Sequence, residues 1–388
     1  MNDDTIITHA GRHPDDNFGI VNPPVYHAST VLFPTVAKLE AANLKPYEGV
    51  RYGRTGTPTT FALEEAVAAL DGADRAVNAS SGYAAITIAL LAFLKGGGHL
   101  LMTDSAYRPT RRFCDEFLKP FGVETTYYDP LIGAGIARLI RPNTNVVFVE
   151  SPGSLTFEMQ DVPAIARAAR AAGAKVIMDN TWGTPLFFKP YRHGVDVAVY
   201  AGTKYIVGHA DAMLGVITMR EPDFLAVKQS ASMLGNSAGP DDCYLGLRGL
   251  RTLGVRLRQH ERNGLALARW LAGRPEVARI LHPALEGDAG HALWKRDFGG
   301  ASGLFGVVLK PCPKAALDSF LDSLTLFGLG YSWGGFESLI VPSSLAGVRT
   351  ATAWTEPGPL IRIHAGLEDV DDLIADLQQG LARLKAAA

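Results

Sequence analysis

Between residues 76 and 219, seven short β-forming runs alternate with helical spacing, a rhythm that few folds accept. The runs are 76–79, 99–103, 123–128, 146–150, 175–179, 195–200 and 214–219. Helical patterns at 83–94, 110–119 and 163–172 lie between them, and another at 61–70 leads in. Parallel neighbours need crossovers, so this rhythm predicts βαβ units and a mainly parallel sheet. VVFVE (146–150) and KVIMD (175–179) are almost continuously apolar, as strands covered on both faces are.

The flanks read differently. Residues 1–55 are broken by Pro14, Pro23, Pro24, Pro34 and Pro46 and interleaved with Tyr26 and Tyr47. They predict an extended arm with one short helix at 36–43, which must pack on the body or on another subunit. A long helical stretch at 242–271 divides off a tail of strands (303–309, 360–364) and helices (315–324, 370–384). At a soft ~150 residues per domain, the 388 residues suggest two to three units. They are taken as an arm (1–55), a large α/β unit (56–250) and a smaller C-terminal α/β unit (251–388).

Composition removes several function classes. The 37 basic and 39 acidic side chains give a net charge of −2 without a run of one sign, which argues against a nucleic-acid or membrane-surface binder. The apolar run 83–94 falls short of the ~20 residues a membrane helix needs. The acidic start, MNDD, is unlike a basic secretory signal and predicts a cytosolic protein. Cys114, Cys243 and Cys312 are odd in number and scattered, which suits neither disulfides nor a CxxC site. His209 and Asp211 form an H-x-D pair without companions for a metal.

In a doubly wound sheet, ligands bind at the carboxyl ends of strands. Three places there invite chemistry. NASSGY (78–83) is a small polar turn entering a helix, able to hold a phosphate on free N–H groups or simply to cap the helix. Asp179 ends an apolar strand, where it can anchor a cationic ring nitrogen or serve as a turn residue. Lys204, after the strand at 195–200, is a candidate for a lowered pKa and Schiff-base chemistry, or a solvated surface charge. Taken together in that chain order, the three match the phosphate, ring nitrogen and aldehyde of pyridoxal phosphate (PLP). A competing pattern is GNSAG (235–239), which fits the GxSxG of a serine hydrolase with Ser237, Asp297 and His364 in the required order. KQSAS before it and PDD after it do not make the strand and helix that such an elbow needs.

TKYIVGHAD (203–211) resembles the lysine signature of the Cys/Met-metabolism PLP-dependent enzymes, a family that includes cystathionine lyases and synthases. The resemblance runs from VNPPVY (21–26) to RIHAGLED (362–369). YSWGGFESL (331–339), GLRTLGVRL (249–257) and WKRDF (294–298) are similar to its β-lyase branch, the γ-acting branch more often having an aliphatic residue at Trp333.

The resemblance implies an α/β chain of PLP-dependent transferase fold type I, aspartate aminotransferase-like. Its mainly parallel seven-stranded sheet would be sandwiched by helices, beside the smaller C-terminal domain. It implies α,β-elimination on cystathionine and related cysteine S-conjugates, with γ-elimination or γ-synthase chemistry as the alternative. Lys204 would hold the cofactor covalently and act as acid and base. Asp179 would pair with the ring nitrogen, Tyr107 would stack on the ring, and Gly82, Tyr83 and Thr203 would hold the phosphate. Tyr52 and Arg54 would reach the phosphate of a neighbouring subunit, making a dimer the minimum working unit and a pair of dimers the expected tetramer. Arg362 would clamp the substrate carboxylate with help from Ser332 and Trp333. Ala201 stands where many relatives carry a phosphate-binding Ser. Thr55 and Arg112 stand where a second Arg and an acid are common. Arg108, Arg111 and Arg112 make that segment basic, facing either the far end of the substrate pocket or solvent.

Overall fold

The computed structural model describes residues 1–387. All seven expected runs form strands of one sheet: β1 (Arg75–Ala79), β2 (His99–Thr103), β3 (Glu124–Tyr128), β4 (Thr144–Glu150), β5 (Lys175–Asp179), β6 (Val197–Tyr200) and β7 (Gly215–Met219). Their order is β1-β7-β6-β5-β4-β2-β3. The five strands from β3 to β6 are parallel, whereas β7 runs antiparallel to both β6 and β1. Every residue of β2 is buried, as is the middle of β5, because helices cover both faces. The helix Gly82–Phe93 packs one apolar cluster against β2 and β4. The helix Val162–Ala171 builds another on the opposite face. The order of the sheet reverses between β2 and β4, so their carboxyl ends open a crevice suited to a ligand.

A second sheet holds β8 (Val277–Leu281), β9 (Leu304–Leu309), β10 (Leu339–Ser343) and β11 (Leu360–His364), antiparallel in the order β10-β11-β9-β8. β8 and β10 do not stand out in the sequence. β10 is an edge strand with Pro342 in it, and β8 is an edge strand with a bulge between Val277 and Arg279.

The expected helix at 242–271 is two helices, Pro240–Leu250 and Leu253–Ala272. The break lets the Arg251 guanidinium donate to the carbonyls of Ile7 (2.6 Å) and Ala10 (2.8 Å), which docks the first helix, Asp3–His9. That helix lies in the stretch expected to be extended, and it buries Ile7. The expected helix at 36–43 forms as Val36–Asn43 but buries no residue, and Phe18, Leu32 and Leu44 in the same arm are 99, 87 and 85% exposed. The stretch at 110–119 begins as a helix (Arg108–Arg112) and widens into a π turn (Phe113–Leu118) that keeps Phe113, Cys114 and Leu118 in the core. Among the described residues no helix is long and apolar enough to cross a membrane.

Candidate active site

Each strand end at the crevice delivers one polar side chain. Asp179 closes β5, and its Oδ1 accepts the Thr181 N–H at 2.9 Å. Burial pushes its carboxyl up, and the bonds from Thr181 and the charge of Lys204 pull it back. Lys204 follows β6 on a tight turn in which its N–H reaches Ala201 O (2.9 Å) and its O accepts the Gly208 N–H (2.8 Å). Burial, with the Arg362 cation adding, lowers the ammonium to about 8, against a partial upward pull from Asp179. The Lys204 loop is clamped from behind by Arg256, which donates to Tyr205 O (2.8 Å) and Gly249 O (2.6 Å).

The second sheet completes the pocket. Along β11, Ile361 and Ile363 enter the C-terminal core, so alternation turns Arg362 and His364 to the other face. Arg362 Nη2 donates to Ser332 O at 2.9 Å, and Lys204 Nζ donates to Ser332 Oγ at 2.6 Å. Ser332 thus touches both cations, and it does so from a left-handed backbone (φ 79°), a conformation that costs a non-glycine residue about 1–3 kcal/mol. Gly334 (φ 86°) lets this loop lie on the lysine turn, since a Cβ there would meet the Lys204 backbone at 2.9 to 3.0 Å. His364 Nε2 accepts the Gly334 N–H at 3.1 Å and is held neutral by burial, which lowers it to about 3. Trp333 lies with its ring centre 5.5 Å from Lys204 Nζ and packs on the Tyr205 ring.

Tyr107 stands just beyond β2, half exposed; burial raises its phenol, and Glu150, Asp179 and Arg362 also act on it. The helix Gly82–Phe93 starts beside the lysine turn, and a Cβ on Gly82 would fall 2.3 Å from Ala201 Cβ. Ser81 Oγ caps the Ala84 N–H, leaving the Gly82 and Tyr83 N–H groups at the open end of the helix. Thr203 Oγ1 accepts the Leu214 N–H at 2.8 Å and donates to Leu214 O at 3.2 Å, so its hydrogen meets an anion only by turning from that carbonyl.

Lys204, Arg362 and Trp333 are therefore gathered around Ser332, Asp179 and Tyr107 lie near enough to act on their charges, and Gly82 lies against Ala201 at the start of the lysine turn. Tyr52 and Arg54 are elsewhere in the chain. Arg54 donates to Ser232 O at 3.1 Å and lines a separate cavity with Lys228, Asn236 and Ser237. The hydrolase trio is not assembled either. Ser237 follows a helix (Glu221–Met233), Asp297 pairs with Arg296 at 2.7 Å, and His364 serves Gly334. His209 bonds Val207 O at 2.6 Å, a local tie within the lysine loop.

The basic segment after Tyr107 divides three ways. Arg111 is buried against Asp104 at 2.9 Å, Arg112 pairs with Glu116 at 2.7 Å on the surface, and Arg108 is exposed. Sequence reasoning missed Asp104, whose carboxylate also accepts the N–H groups of Thr350, Ala351 and Thr352 and so ties the chain before β11 to the end of β2. It also missed Glu150, which closes VVFVE as Asp179 closes KVIMD. The matching strand-end carboxylates were the available signal.

Residues 4–382 match the Cys/Met metabolism PLP-dependent enzyme family. The chain belongs to that family. A Rhizobium johnstonii relative is 50% identical over 386 residues, 98% of this chain and 96% of its own. The cystathionine beta-lyase of Salmonella typhimurium (strain LT2) is 46% identical over 388 residues, 98% of each chain. The cystathionine gamma synthase of Xanthomonas oryzae pv. oryzae, solved in complex with aminoacrylate and cysteine, superposes with a TM-score of 0.91 at 31% identity over 100% of both chains. The fold is accordingly the expected PLP-dependent fold type I. As a PLP-dependent family member, this chain offers a donor set that fits the cofactor: a depressed lysine for an aldehyde, a buried carboxylate for a ring cation, and an open helix end for a phosphate.

Proposed function

We propose that this chain is a PLP-dependent carbon–sulfur β-lyase that cleaves L-cystathionine and related cysteine S-conjugates to a thiol, pyruvate and ammonia. The observation that carries the reading is the contact of Ser332 with both Lys204 Nζ and Arg362, which sets the amine beside the group suited to a substrate carboxylate. Arg362 takes that carboxylate on its remaining donors, a planar match that an ammonium lacks. Asp179 would hold positive charge at the ring nitrogen, Tyr107 would cover the ring, and Gly82, Tyr83 and Thr203 would bind the phosphate. When bound, PLP supplies the electron sink that stabilises negative charge at the substrate α-carbon. Lys204 Nζ, whose ammonium is held below the usual lysine range by burial and by Arg362, is placed to remove the α-proton. The bond from the β-carbon to sulfur breaks with its electron pair on sulfur, and Lys204 is placed to return a proton. The three-carbon fragment hydrolyses to pyruvate and ammonia. Trp333 supports β over γ elimination, following the branch resemblance.

The working unit in this proposal is at least a dimer, with a tetramer as a pair of dimers. Tyr52 and Arg54 lie away from Lys204 within the chain, and the arm exposes Phe18, Leu32 and Leu44, so both suit a second copy. Residues 56–250 form the cofactor-binding unit and 251–388 the second unit. Three free cysteines accord with a cytoplasmic location.

Borohydride trapping tests the reading. Protein incubated with PLP and reduced should carry the cofactor on the peptide containing Lys204. The yield at short times should climb with pH around a midpoint near 8, because only the neutral amine adds to the aldehyde. Labelling spread over surface lysines, with a midpoint near their usual ~10.4, would count against it.

A further inference from the structure

At the reversal point of the large sheet, Glu150 stands without a part in this chemistry. It closes β4 directly opposite Asp179 in the parallel register of β4 and β5. Across the other side of the crevice, its Oε2 accepts the backbone N–H of Tyr107 at 2.8 Å. The Glu150 backbone is fixed in turn, its carbonyl accepting Gln160 Nε2 at 2.7 Å. One side chain therefore spans β2 and β4 at the spot where the Tyr107 ring leaves the sheet.

The two facing carboxyls differ in what compensates them. Asp179 has two bonds from Thr181 and the pull of Lys204. Glu150 has the Tyr107 N–H alone, and burial together with the Asp179 charge raises it well above the usual carboxylate range. The negative charge belongs on Asp179 and the proton on Glu150. Tyr107 caps the helix Arg108–Arg112 without a side-chain bond of its own, so that N–H has no helical partner.

We infer that Glu150 is a positioning residue: as an acceptor for the Tyr107 N–H, it sets the Tyr107 ring over the ligand that Asp179 anchors. The inference rests on the proposed stacking of Tyr107 on PLP. It requires an acceptor oxygen at position 150 and no charge there.

Two variants separate these requirements. Glu150→Gln keeps a neutral group with an acceptor, whereas Glu150→Met keeps the bulk and removes it. Amide hydrogen exchange at residue 107 of the cofactor-free protein, visible circular dichroism of the PLP-loaded protein, and the split of kcat from KM provide the readouts. Glu150→Met should exchange amide 107 about 10-fold faster, the loss of one buried hydrogen bond, while amides 176–178 of the core keep their protection. Its visible dichroism should fall by about half or more and its kcat/KM by about 10-fold, with kcat taking most of the loss. Glu150→Gln should stay within about 2-fold of wild type on all three counts. Wild-type exchange and dichroism in Glu150→Met would overturn the inference, as would equal damage in Glu150→Gln. General loss of protection at 176–178 in Glu150→Met would also count against it, since a purely local role is claimed. Failure of the PLP reading would show separately, as wild-type protein that stays colourless with added PLP while the exchange at residue 107 still responds.

Discussion

Lys204→Ala should leave the chain folded and almost inactive. The lysine turn does not depend on its amine, because main-chain bonds from Lys204 to Ala201 and Gly208 and the Arg256 clamp hold it from within and behind. Removing a desolvated ammonium also relieves a burial cost that the structure shows as a depressed pKa. The melting temperature should therefore move by a few degrees at most. Turnover should fall by about 10² to 10⁴-fold, the usual worth of positioned acid–base help, and borohydride should trap no cofactor on the protein. Ser332 would lose its 2.6 Å contact but keep its bond to Arg362, so substrate affinity should change far less than turnover. Steady-state kinetics and a melting curve on the same preparation check this. A variant with more than about a tenth of wild-type turnover would mean that another group moves the proton.

Arg362→Ala should instead act chiefly through KM. Arg362 is a largely buried cation that donates to the Ser332 carbonyl through Nη2, so its remaining donors are available to a carboxylate. Losing one member of an enclosed, hydrogen-bonded charge pair costs about 2–5 kcal/mol, which corresponds to a fall in kcat/KM of about 30 to several thousand-fold. Arg362→Lys restores the charge without the planar fork and should recover only part of it, remaining about 10-fold or more below wild type. The same variants report on Lys204. Arg362 is the second-largest influence lowering that amine, so Arg362→Ala should shift the pH midpoint of borohydride trapping upward from about 8, while Arg362→Lys should leave it nearly in place. An unchanged midpoint and an unchanged KM in Arg362→Ala would show that the side chain does not face the pocket.

Much of this was legible because strands buried on both faces leave a strong local mark. The runs ending at Thr103, Glu150 and Asp179 are bounded in the sequence almost where they end in the sheet. Lys204 and Asp179 could be singled out because a charge at the end of an apolar strand must sit at the ligand edge. The edge strands β8 and β10 leave a weaker mark, one bulged and the other containing Pro342. The break at Arg251–Thr252 was hidden because the contact it permits, with Ile7 and Ala10, lies at the far end of the chain. The same holds for Asp104 and Arg256. Each looks ordinary in sequence, and each acquires its role through partners that only the folded chain brings near. Arg111 shows the converse, since a helical segment rich in arginine gives no sign of which guanidinium turns inward to meet Asp104.

The β-lyase reading comes down to which carbon loses the sulfur. L-cystathionine incubated with the PLP-loaded protein should yield pyruvate and homocysteine in equal amounts, with ammonia, as chromatography of the keto acids and thiols would show. Release of 2-oxobutyrate with cysteine would place the break at the γ-carbon and contradict the account.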